Sequence, residues 1–434
     1  MSEAKLKANE VPLGQIDQII LRHLVTPRPL LLWGDPGIGK TQRVRRFCRD
    51  LIQESKADIA YLEFSPNSYA EQDVGGYPRL YDDDSFDLVP LRMFKKLSEH
   101  QGAIVYIDEI NTAHQAMLAA LLRLVQERRA GQFQLPPATL FIATANPAQH
   151  SVNAQDIGDN LSSRFVHYHV HADLNDFVQN YPSYWGTPRS ELANQVLKLS
   201  FIDLDKYMAK WEETRSLIAS YLRSNPGFFV GKPPESDFDR DRGYPNPRSW
   251  DAVACLLATS EFLKIDKGLE ASIAGAIGPD AAYSFIRWYT KREIPSPEEI
   301  INNPDGATMP KDRPDMMFAT LSNLSNYLIY NISENKNLSQ KDLFNMLDAA
   351  FRYIERYISS KSTDIDIVSI SLRPLWTHLD PRNKNMADYW SKNFAKIDSE
   401  VFKIIEEQFS QDERISNEIK RLALKFKESH GKEL

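Results

Sequence analysis

The sequence predicts an α/β domain built on a parallel sheet, followed by a region of helices. Up to residue 172, short apolar segments alternate with segments whose apolar residues recur every three or four positions. Such alternation is typical of a parallel sheet with helices on its faces. Beyond His171 the strand signals stop and helical periodicity takes over. Two loops rich in Pro, Gly and charged residues, 231–248 and 292–315, interrupt the helical region.

The elements of the α/β part follow one another in a regular order. Residues 14–25 carry isoleucines and leucines at helical spacing, and 29–33 is a short apolar run that predicts a buried strand. Further helices are expected at 41–55, 91–100 and 115–127, and further strands at 59–64, 103–107, 139–143 and 165–170. In the helical region, one helix is expected to begin at Ser339, and two more are expected in the last forty residues. The predicted domains are 1–172, 173–292 and 293–434.

The composition describes a globular chain without a general basic surplus. Of 434 residues, 42% are hydrophobic and 26% charged, and 52 Lys and Arg stand against 59 Asp and Glu, a formal net charge of −7. There is thus no global basic surplus to hold a nucleic-acid backbone, and any nucleic-acid role must rest on a local patch. Only two cysteines occur, in no metal-ligand spacing, which fits a reducing compartment. Because the sequence has neither a signal-peptide core nor a long apolar stretch, we expect a cytoplasmic protein.

The stretch LLLWGDPGIGKTQRV contains the pattern G-x-x-x-x-G-K-[ST] between Gly34 and Thr41. Successive backbone N–H groups can wrap a phosphate only where no Cβ intrudes, and the following helix adds its positive N-terminal end. We expect Lys40 to reach the β- and γ-phosphates and the Thr41 hydroxyl to hold Mg²⁺. The alternative is a glycine-rich turn that carries Lys and Thr by chance. The predicted nucleotide-binding residues are Gly34, Asp35, Pro36, Gly37, Ile38, Gly39, Lys40, Thr41 and Gln42.

Two acidic residues follow a second buried strand in the segment AIVYIDEIN. Asp108 and Glu109 emerge at the carboxyl end of that strand, which is where open α/β sheets bind ligands. Nucleoside triphosphate hydrolysis needs a second magnesium anchor and a group that orients the attacking water. We expect Asp108 to coordinate Mg²⁺ through water and Glu109 to polarise the water.

Polar residues at the ends of two more segments complete this arrangement. In TLFIATANP, Thr144 and Asn146 are suited to bridge the γ-phosphate and the water, although a simple Asx turn before Pro147 would also explain them. In NLSSRF, Arg164 is either a surface arginine or a finger that stabilises charge at the γ-phosphate bound by a neighbouring subunit. The sequence alone leaves both alternatives open.

In this order, the segments resemble the AAA+ ATPases, and among them the MoxR-like, dynein-related group. The resemblance rests on GDPGIGKT, DVGGYP, VYIDEIN, LLRLVQERRAGQFQLP, ATANP, LSSRF and NPRSW, and it covers about residues 12–260. It implies a P-loop core of αβα layers, an α-helical lid and an α-helical C-terminal domain. It also implies Walker A at 34–41, Walker B at Asp108 and Glu109, sensor 1 at Asn146, an arginine finger at Arg164 and sensor 2 at Arg248. Arg248 could instead cap its own helix.

The resemblance further implies a hexameric homo-oligomeric ring with ATP and Mg²⁺ bound between subunits. Two inserted loops, 67–90 and 128–136, would face the pore, and the second suggests a hairpin. Their length favours a function over ordinary surface loops. The partner would be a protein, which in MoxR-like proteins is commonly one with a von Willebrand A domain, and the region from residue 293 is the candidate for partner selection.

The leading hypothesis is therefore an ATP-hydrolysing AAA+ ring that remodels or activates a protein partner. A nucleic-acid motor such as a GTP-driven restriction translocase is an alternative, but the acidic balance and the lack of an aromatic-basic stripe argue against it. A scaffold that binds nucleotide without turnover is a second alternative, and Glu109 and Arg164 argue against that.

Alternate histidines at 167, 169 and 171 share one face of the strand 165–170, which is expected to border the sheet. Such a row can bind zinc. No cysteine or acidic residue completes a ligand set at a clear spacing, so we assign no metal to it.

Overall fold

The computed structural model describes residues 9–24, 27–55, 57–83, 85–147, 155–187, 189–231, 243–310, 312–333, 338–358 and 365–378. Contacts between Cα atoms divide the chain into two units. The first unit takes in the chain up to Asp173 together with Asn246–Arg248, and the second takes in Leu174–Gly231 and the chain from Ser249 onwards. The division into three domains stays a prediction, and the two helices expected in the last forty residues lie outside the described part.

The strands of the first unit are β1 (Glu10–Pro12), β2 (Leu30–Trp33), β3 (Ile59–Phe64), β4 (Tyr77–Leu80), β5 (Phe86–Val89), β6 (Gly102–Ile107), β7 (Arg129–Ala130), β8 (Phe133–Gln134), β9 (Ala138–Ala145) and β10 (Val166–His171). Six of them form a parallel sheet in the order β1-β10-β2-β9-β6-β3. β4 pairs with β5, and β7 pairs with β8, as two antiparallel hairpins beside the main sheet. The second hairpin is the one that the turn 128–136 suggests.

Helices cover both faces of the sheet, which confirms the predicted α/β class. They are α1 (Ile16–Leu24), α2 (Lys40–Ser55), α3 (Glu71–Gly75), α4 (Arg92–Ser98), α5 (Gln115–Glu127) and α6 (Asp159–Ser162). α1 and α2 pack on one face, where Ile20 and Val44 contact the cluster that contains Ile104. The other four helices pack on the opposite face, around Val105 and Phe141. Ile104 and Val105 point to opposite faces because side chains alternate along a strand.

Two features of the first unit differ from the sequence prediction. The expectation that the strand 165–170 borders the sheet is wrong, because β1 pairs in parallel with β10 on its outer side. β1 is three residues long and ends in a proline, so it lacks the alternation that identifies a strand. The inserted loop 67–90 contains the hairpin β4–β5, whose tip includes Asp82 and Asp83, whereas Asp84 lies outside the described residues.

The second unit consists of helices throughout its described part, as the loss of strand signals predicts. They are α7 (Leu174–Asn180), α8 (Arg189–Ala193), α9 (Leu204–Ser224), α10 (Pro247–Leu263), α11 (Leu269–Ile277), α12 (Pro279–Tyr289), α13 (Pro297–Asn302), α14 (Pro314–Ser333), α15 (Gln340–Ile358) and α16 (Ile365–His378). α14 packs against α9 and α16, and the rings of Tyr221, Trp250 and Phe285 contact one another in the core. No helix among these residues or those of the first unit is long and apolar enough to cross a membrane.

The buried strand β2 gives a stability prediction. Leu31 is fully buried at its centre, whereas Leu21 on α1 is 41% exposed. Leu31→Ala should lower the free energy of unfolding of the first unit by about 2–5 kcal/mol, because it leaves a cavity. Leu21→Ala should change it by less than about 0.5 kcal/mol. Hydrogen exchange of the β2 and β9 peptides in increasing urea measures the change in the free energy of unfolding for each variant. Equal losses of this free energy in Leu31→Ala and Leu21→Ala would contradict the assigned core.

Candidate active site

The turn between β2 and α2 requires glycine where the chain passes close to its neighbours. A Cβ at Gly34 would lie 2.5 Å from the Val170 carbonyl oxygen at the end of β10. Gly37 has a φ of +81°, and a Cβ there would lie 2.7 Å from Asn246 Oδ1. The turn therefore exposes backbone where a side chain at either position would collide.

The other residues of the turn divide between the core and the surface. Ile38 is buried in the cluster under α1 and α2, so that only its backbone is available to a ligand. Pro36 and Asp35 lie partly exposed in the turn, and Gln42 is exposed on the first turn of α2. Gly39 immediately precedes α2. The predicted binding segment thus ends at a helix N-terminus, where backbone N–H groups are available for an anion.

The Lys40 side chain is buried beneath this turn. Its Nζ donates to the carbonyl oxygens of Gly34 at 2.6 Å and Asp35 at 2.9 Å, and to Asn146 Oδ1 at 3.0 Å. Burial lowers the pKa of Lys40 to about 8, although the negative charges of Asp108, Asp35 and Glu109 act in the opposite direction. An anion bound beside this amine would favour its charged form.

Asp108 follows β6 and lies at the centre of a group of hydroxyls. Thr41 Oγ1 donates to the carboxylate, 3.2 Å from either oxygen. Tyr106 OH donates to Asp108 Oδ1 at 2.8 Å, and Thr144 Oγ1 donates to the same oxygen at 2.6 Å. The carboxylate is therefore held in one orientation next to the first turn of α2.

Glu109, the next residue, joins a second network. Its backbone adopts a left-handed conformation with a φ of 54°, and its N–H donates to Thr144 Oγ1 at 3.0 Å. The side-chain Oε1 accepts a hydrogen bond from Asn146 Nδ2 at 3.1 Å. Asn111 Nδ2 in turn donates to the Asn146 carbonyl oxygen at 2.7 Å. Glu109 and Asn146 thus meet at the carboxyl ends of β6 and β9, as the sequence predicts for groups that act together.

Sequence reasoning missed Tyr106 and Asn111 as parts of this site. Tyr106 is a polar-tipped residue in an otherwise aliphatic strand, two positions before Asp108 and therefore on the same face. That alternation could have identified it. Asn111 lies in a short 3₁₀ helix after the strand, and nothing in its sequence position indicates its contact with β9.

Another missed contact anchors the helix that begins at the turn. Arg43 on α2 is buried and forms a two-bond ion pair with Asp17 on α1, with N···O distances of 2.8 and 2.9 Å. Its guanidinium also donates to the Gly14 carbonyl oxygen. The pair fixes α2 against α1, so the N-terminus of α2 has a defined position.

The two predicted sensing arginines lie in different surroundings. Arg248 is exposed, its backbone N–H donates to the Gly37 carbonyl oxygen at 3.1 Å, and its charge acts on Lys40. Arg164 is also exposed and follows α6, where it donates to Gln126 Oε1 on α5 at 3.2 Å. The structure therefore brings Arg248 to the glycine turn and does not join Arg164 to the Lys40–Asp108 network.

The residues at this site fit a nucleoside triphosphate with a divalent cation. The exposed backbone of the turn and the buried Lys40 amine suit a polyphosphate. Thr41 Oγ1 and the Asp108 carboxylate are adjacent hard oxygen donors, which Mg²⁺ prefers.

Comparison with known proteins finds a family match within the first unit. Residues 29–165 match the family described as AAA domain (dynein-related subfamily). The chain carries an AAA+ ATPase domain. The match spans the glycine turn of the domain, both acidic residues after β6, Asn146 and Arg164. It leaves the region beyond residue 165 outside the family assignment.

A relative and two solved structures show weaker similarity. The "26S proteasome regulatory subunit 6B homolog" of Aspergillus niger is 28% identical over 105 residues, which are 24% of this chain and 21% of that protein. The chain thus spans about a fifth of that relative's length. A mutant of RuvB from Thermotoga maritima is 11% identical with a TM-score of 0.31, covering 85% of this chain and 87% of that one. NtrX from Brucella abortus is 14% identical with a TM-score of 0.30, covering 63% and 67%.

The buried Lys40 amine makes stability depend on pH. The folded chain releases this proton near pH 8, whereas the unfolded chain releases it near 10.5, so the cost of burying the charge is present below pH 8 and falls as pH rises. Relative to Lys40→Met, the wild-type free energy of unfolding should rise by about 2 kcal/mol between pH 8 and pH 10. Urea titrations at several pH values measure the difference. If the free energy of unfolding changed with pH in the same way in both proteins, the lowered pKa of Lys40 would be contradicted.

Proposed function

We propose that the chain hydrolyses ATP as a MoxR-like AAA+ ring ATPase and uses this reaction to remodel or activate a protein partner. The observation that carries the proposal is the convergence of Lys40, Thr41, Asp108, Glu109 and Asn146 at the carboxyl ends of three adjacent parallel strands. Phosphoryl transfer to water depends mainly on positioning and on electrostatic stabilisation, and these residues supply both.

The roles within one subunit follow from the contacts. The turn 34–41 and Lys40 bind the β- and γ-phosphates, and Thr41 with Asp108 would hold Mg²⁺, which when bound neutralises phosphate charge. Glu109 accepts a proton from the attacking water, while Asn146, hydrogen-bonded to the same carboxylate, orients the water. Tyr106 and Thr144 keep the Asp108 carboxylate in place.

Two arginines complete the proposed reaction from outside this network. Arg248, beside Gly37, acts as the sensor of the γ-phosphate in the same chain. Arg164 is exposed and has an uncharged hydrogen-bond partner, so its guanidinium is available to a second subunit. We therefore propose that it acts in trans in a hexameric ring.

The protein partner would contact the inserted hairpins. β4–β5 exposes Tyr77, Leu80 and Phe86, which are 49%, 77% and 58% accessible. Exposed apolar side chains on an inserted element favour a contact with another protein. We propose that this hairpin and β7–β8 move with the nucleotide state, that the region from residue 293 selects the partner, and that a protein with a von Willebrand A domain is one such partner. The cytoplasm remains the predicted location.

Substitutions separate the steps of the proposed reaction. Lys40→Ala should abolish ATP binding, because the phosphates lose their buried counter-charge. Glu109→Gln should bind ATP normally and lower kcat by roughly 10²–10⁴-fold, since glutamine keeps an acceptor for Asn146 but takes up no proton. Arg164→Ala should bind ATP and lose about 10³-fold or more in kcat. Fluorescent-nucleotide titration and steady-state phosphate release measure binding and turnover.

Arg123→Ala is the matched control for Arg164→Ala. Arg123 is also a half-exposed arginine, on α5, and its carboxylate partner Glu127 lies one turn away on the same helix. Its substitution should leave kcat within twofold. Normal hydrolysis by Arg164→Ala would refute both the trans finger and the mechanism that couples subunits around a ring.

The oligomeric state tests the ring directly. Glu109→Gln with ATP and Mg²⁺ should assemble into particles of about six subunits, because bound ATP bridges adjacent chains. Light scattering with and without nucleotide measures the mass. A monomer under both conditions would leave ATP binding possible but would rule out an active site shared between subunits.

A further inference from the structure

His167 on β10 forms hydrogen bonds with Trp33 and with the Ser162 carbonyl, and these fix its tautomer. Its Nε2 also lies 3.3 Å from Ser162 Oγ. Its Nδ1 lies 3.0 Å from Trp33 Nε1, and the indole N–H can only donate, so Nδ1 must accept. The proton of the neutral imidazole is therefore on Nε2, which donates to the Ser162 carbonyl oxygen at 2.8 Å. The two rings are nearly parallel, with an interplanar angle of 14° and centroids 6.3 Å apart. The imidazole thus bridges Trp33 and Ser162 in one defined orientation.

The Ser162 carbonyl belongs to the turn that carries Arg164. Leu161 and Phe165 anchor the two ends of the turn in the core, where they are 2% and 6% exposed. Between them, the Phe165 N–H donates to the Ser162 carbonyl oxygen at 3.1 Å, and the His167 Nε2 is a second donor to that oxygen. Because both lone pairs of the carbonyl are occupied, the peptide plane two residues before Arg164 cannot rotate freely.

Trp33 connects this turn to the nucleotide site. It is the last residue of β2 and directly precedes Gly34, the first residue of the glycine turn. Its ring lies nearly parallel to the rings of His167 and His169, both on β10, with centroids 6.3 and 6.4 Å away. Any displacement of the end of β2 would therefore move Trp33 against His167, and through it the Ser162 carbonyl.

We propose that His167 is a positioning residue for Arg164. It holds the turn that carries Arg164 in a fixed position relative to β2, the strand that leads into the glycine turn. The inference rests on the proposed function, since it takes Arg164 to act at the site of a neighbouring subunit. It adds a route by which the nucleotide site of one subunit determines the position of Arg164 in that same subunit, and Arg164 then acts at the site of the next subunit. The route consists of Trp33 Nε1, the His167 imidazole and the Ser162 carbonyl.

Three substitutions at the same position separate the two hydrogen bonds. His167→Gln can place an amide N–H near the Nε2 position and keep the bond to the Ser162 carbonyl. His167→Asn can place an oxygen near Nδ1 and keep the bond from Trp33, but it does not reach Ser162. His167→Phe keeps a planar aromatic ring and loses both bonds. If the Ser162 bond positions Arg164, His167→Gln should retain most of the turnover, and the other two should not.

Steady-state hydrolysis gives the first measurement. His167→Phe and His167→Asn should lower kcat by roughly ten- to a hundredfold, as expected for a misplaced catalytic group, with the affinity for ATP within twofold. Thermal unfolding of each variant shows whether it is folded. Wild-type kcat in folded His167→Phe would overturn the proposal. Equal losses of kcat in all three variants, in proportion to their losses of stability, would also overturn it.

The ATPase activity of rings assembled from two different variants separates a positioning role of His167 from a merely structural one. Subunits with Glu109→Gln lack turnover but offer an intact finger, whereas subunits with His167→Phe have an intact site. In a random equal mixture, an intact site should meet an intact finger at about a quarter of the interfaces, so activity should rise to about a quarter of the wild-type rate. Activity no greater than the mean of the two separate proteins would mean that His167 acts within its own site, and would overturn the inference.

The same mixture with Arg164→Ala distinguishes failure of the inference from failure of the proposed function. Rescue of Arg164→Ala without rescue of His167→Phe would leave the trans finger intact and remove only the role of His167. Absence of rescue for Arg164→Ala would remove the trans finger, and with it the role of His167. Trp33→Phe loses the indole donor, so it lacks the same bond that His167→Gln lacks and should lower kcat about as little as that variant and by less than His167→Asn. Wild-type kcat in Trp33→Phe would exclude β2 from the route.

Discussion

The buried Lys40 amine is the constraint on which the site depends. A cation removed from water must be surrounded by oxygens, and here the carbonyls of Gly34 and Asp35 and the side chain of Asn146 supply them. Two of these oxygens come from the turn itself, so the turn must fold back over the amine. The third comes from the end of β9. The position of Lys40 thus ties the glycine turn to the neighbouring strand, and burial of the amine lowers its pKa.

The strand order explains why residues far apart in sequence meet there. β9 lies between β2 and β6, so the carboxyl ends of these strands form one edge. Thr144 on β9 can therefore donate to Asp108 after β6, while Thr41 after β2 donates to the same carboxylate. Placing β9 elsewhere in the sheet would leave the carboxylate with fewer donors. The chemistry of the site is in this sense a property of the topology as well as of the motifs.

The sequence predicts those elements whose signal is local. The strand 59–64 and the helix 115–127 coincide with β3 and α5, because each has a regular apolar pattern and clear ends. β1 could not be found in this way, since three residues become a strand only by pairing with β10. The motif residues Lys40, Thr41 and Asp108 are brought together as expected. The alternation along β6 indicates that Tyr106 shares a face with Asp108, but the contact of its hydroxyl with Thr41 forms only once β2, β9 and β6 are adjacent. The role proposed for Arg164 would depend on a second chain, which no pattern within one chain determines.

The two adjacent acidic residues have different hydrogen-bond partners because the backbone turns between them. The Asp108 N–H continues the strand ladder by donating to the Phe64 carbonyl oxygen, so its side chain follows the alternation of Tyr106 and faces Thr41. At Glu109 the φ of 54° ends the ladder and costs about 1–2 kcal/mol for a residue with a Cβ. The bond from its N–H to Thr144 and the bond from Asn146 to its carboxylate offset this cost. The strained residue thus directs the Asp108 carboxylate towards Thr41 and the Glu109 carboxylate towards Asn146, which two residues in a regular strand would do only by facing opposite sides of the sheet.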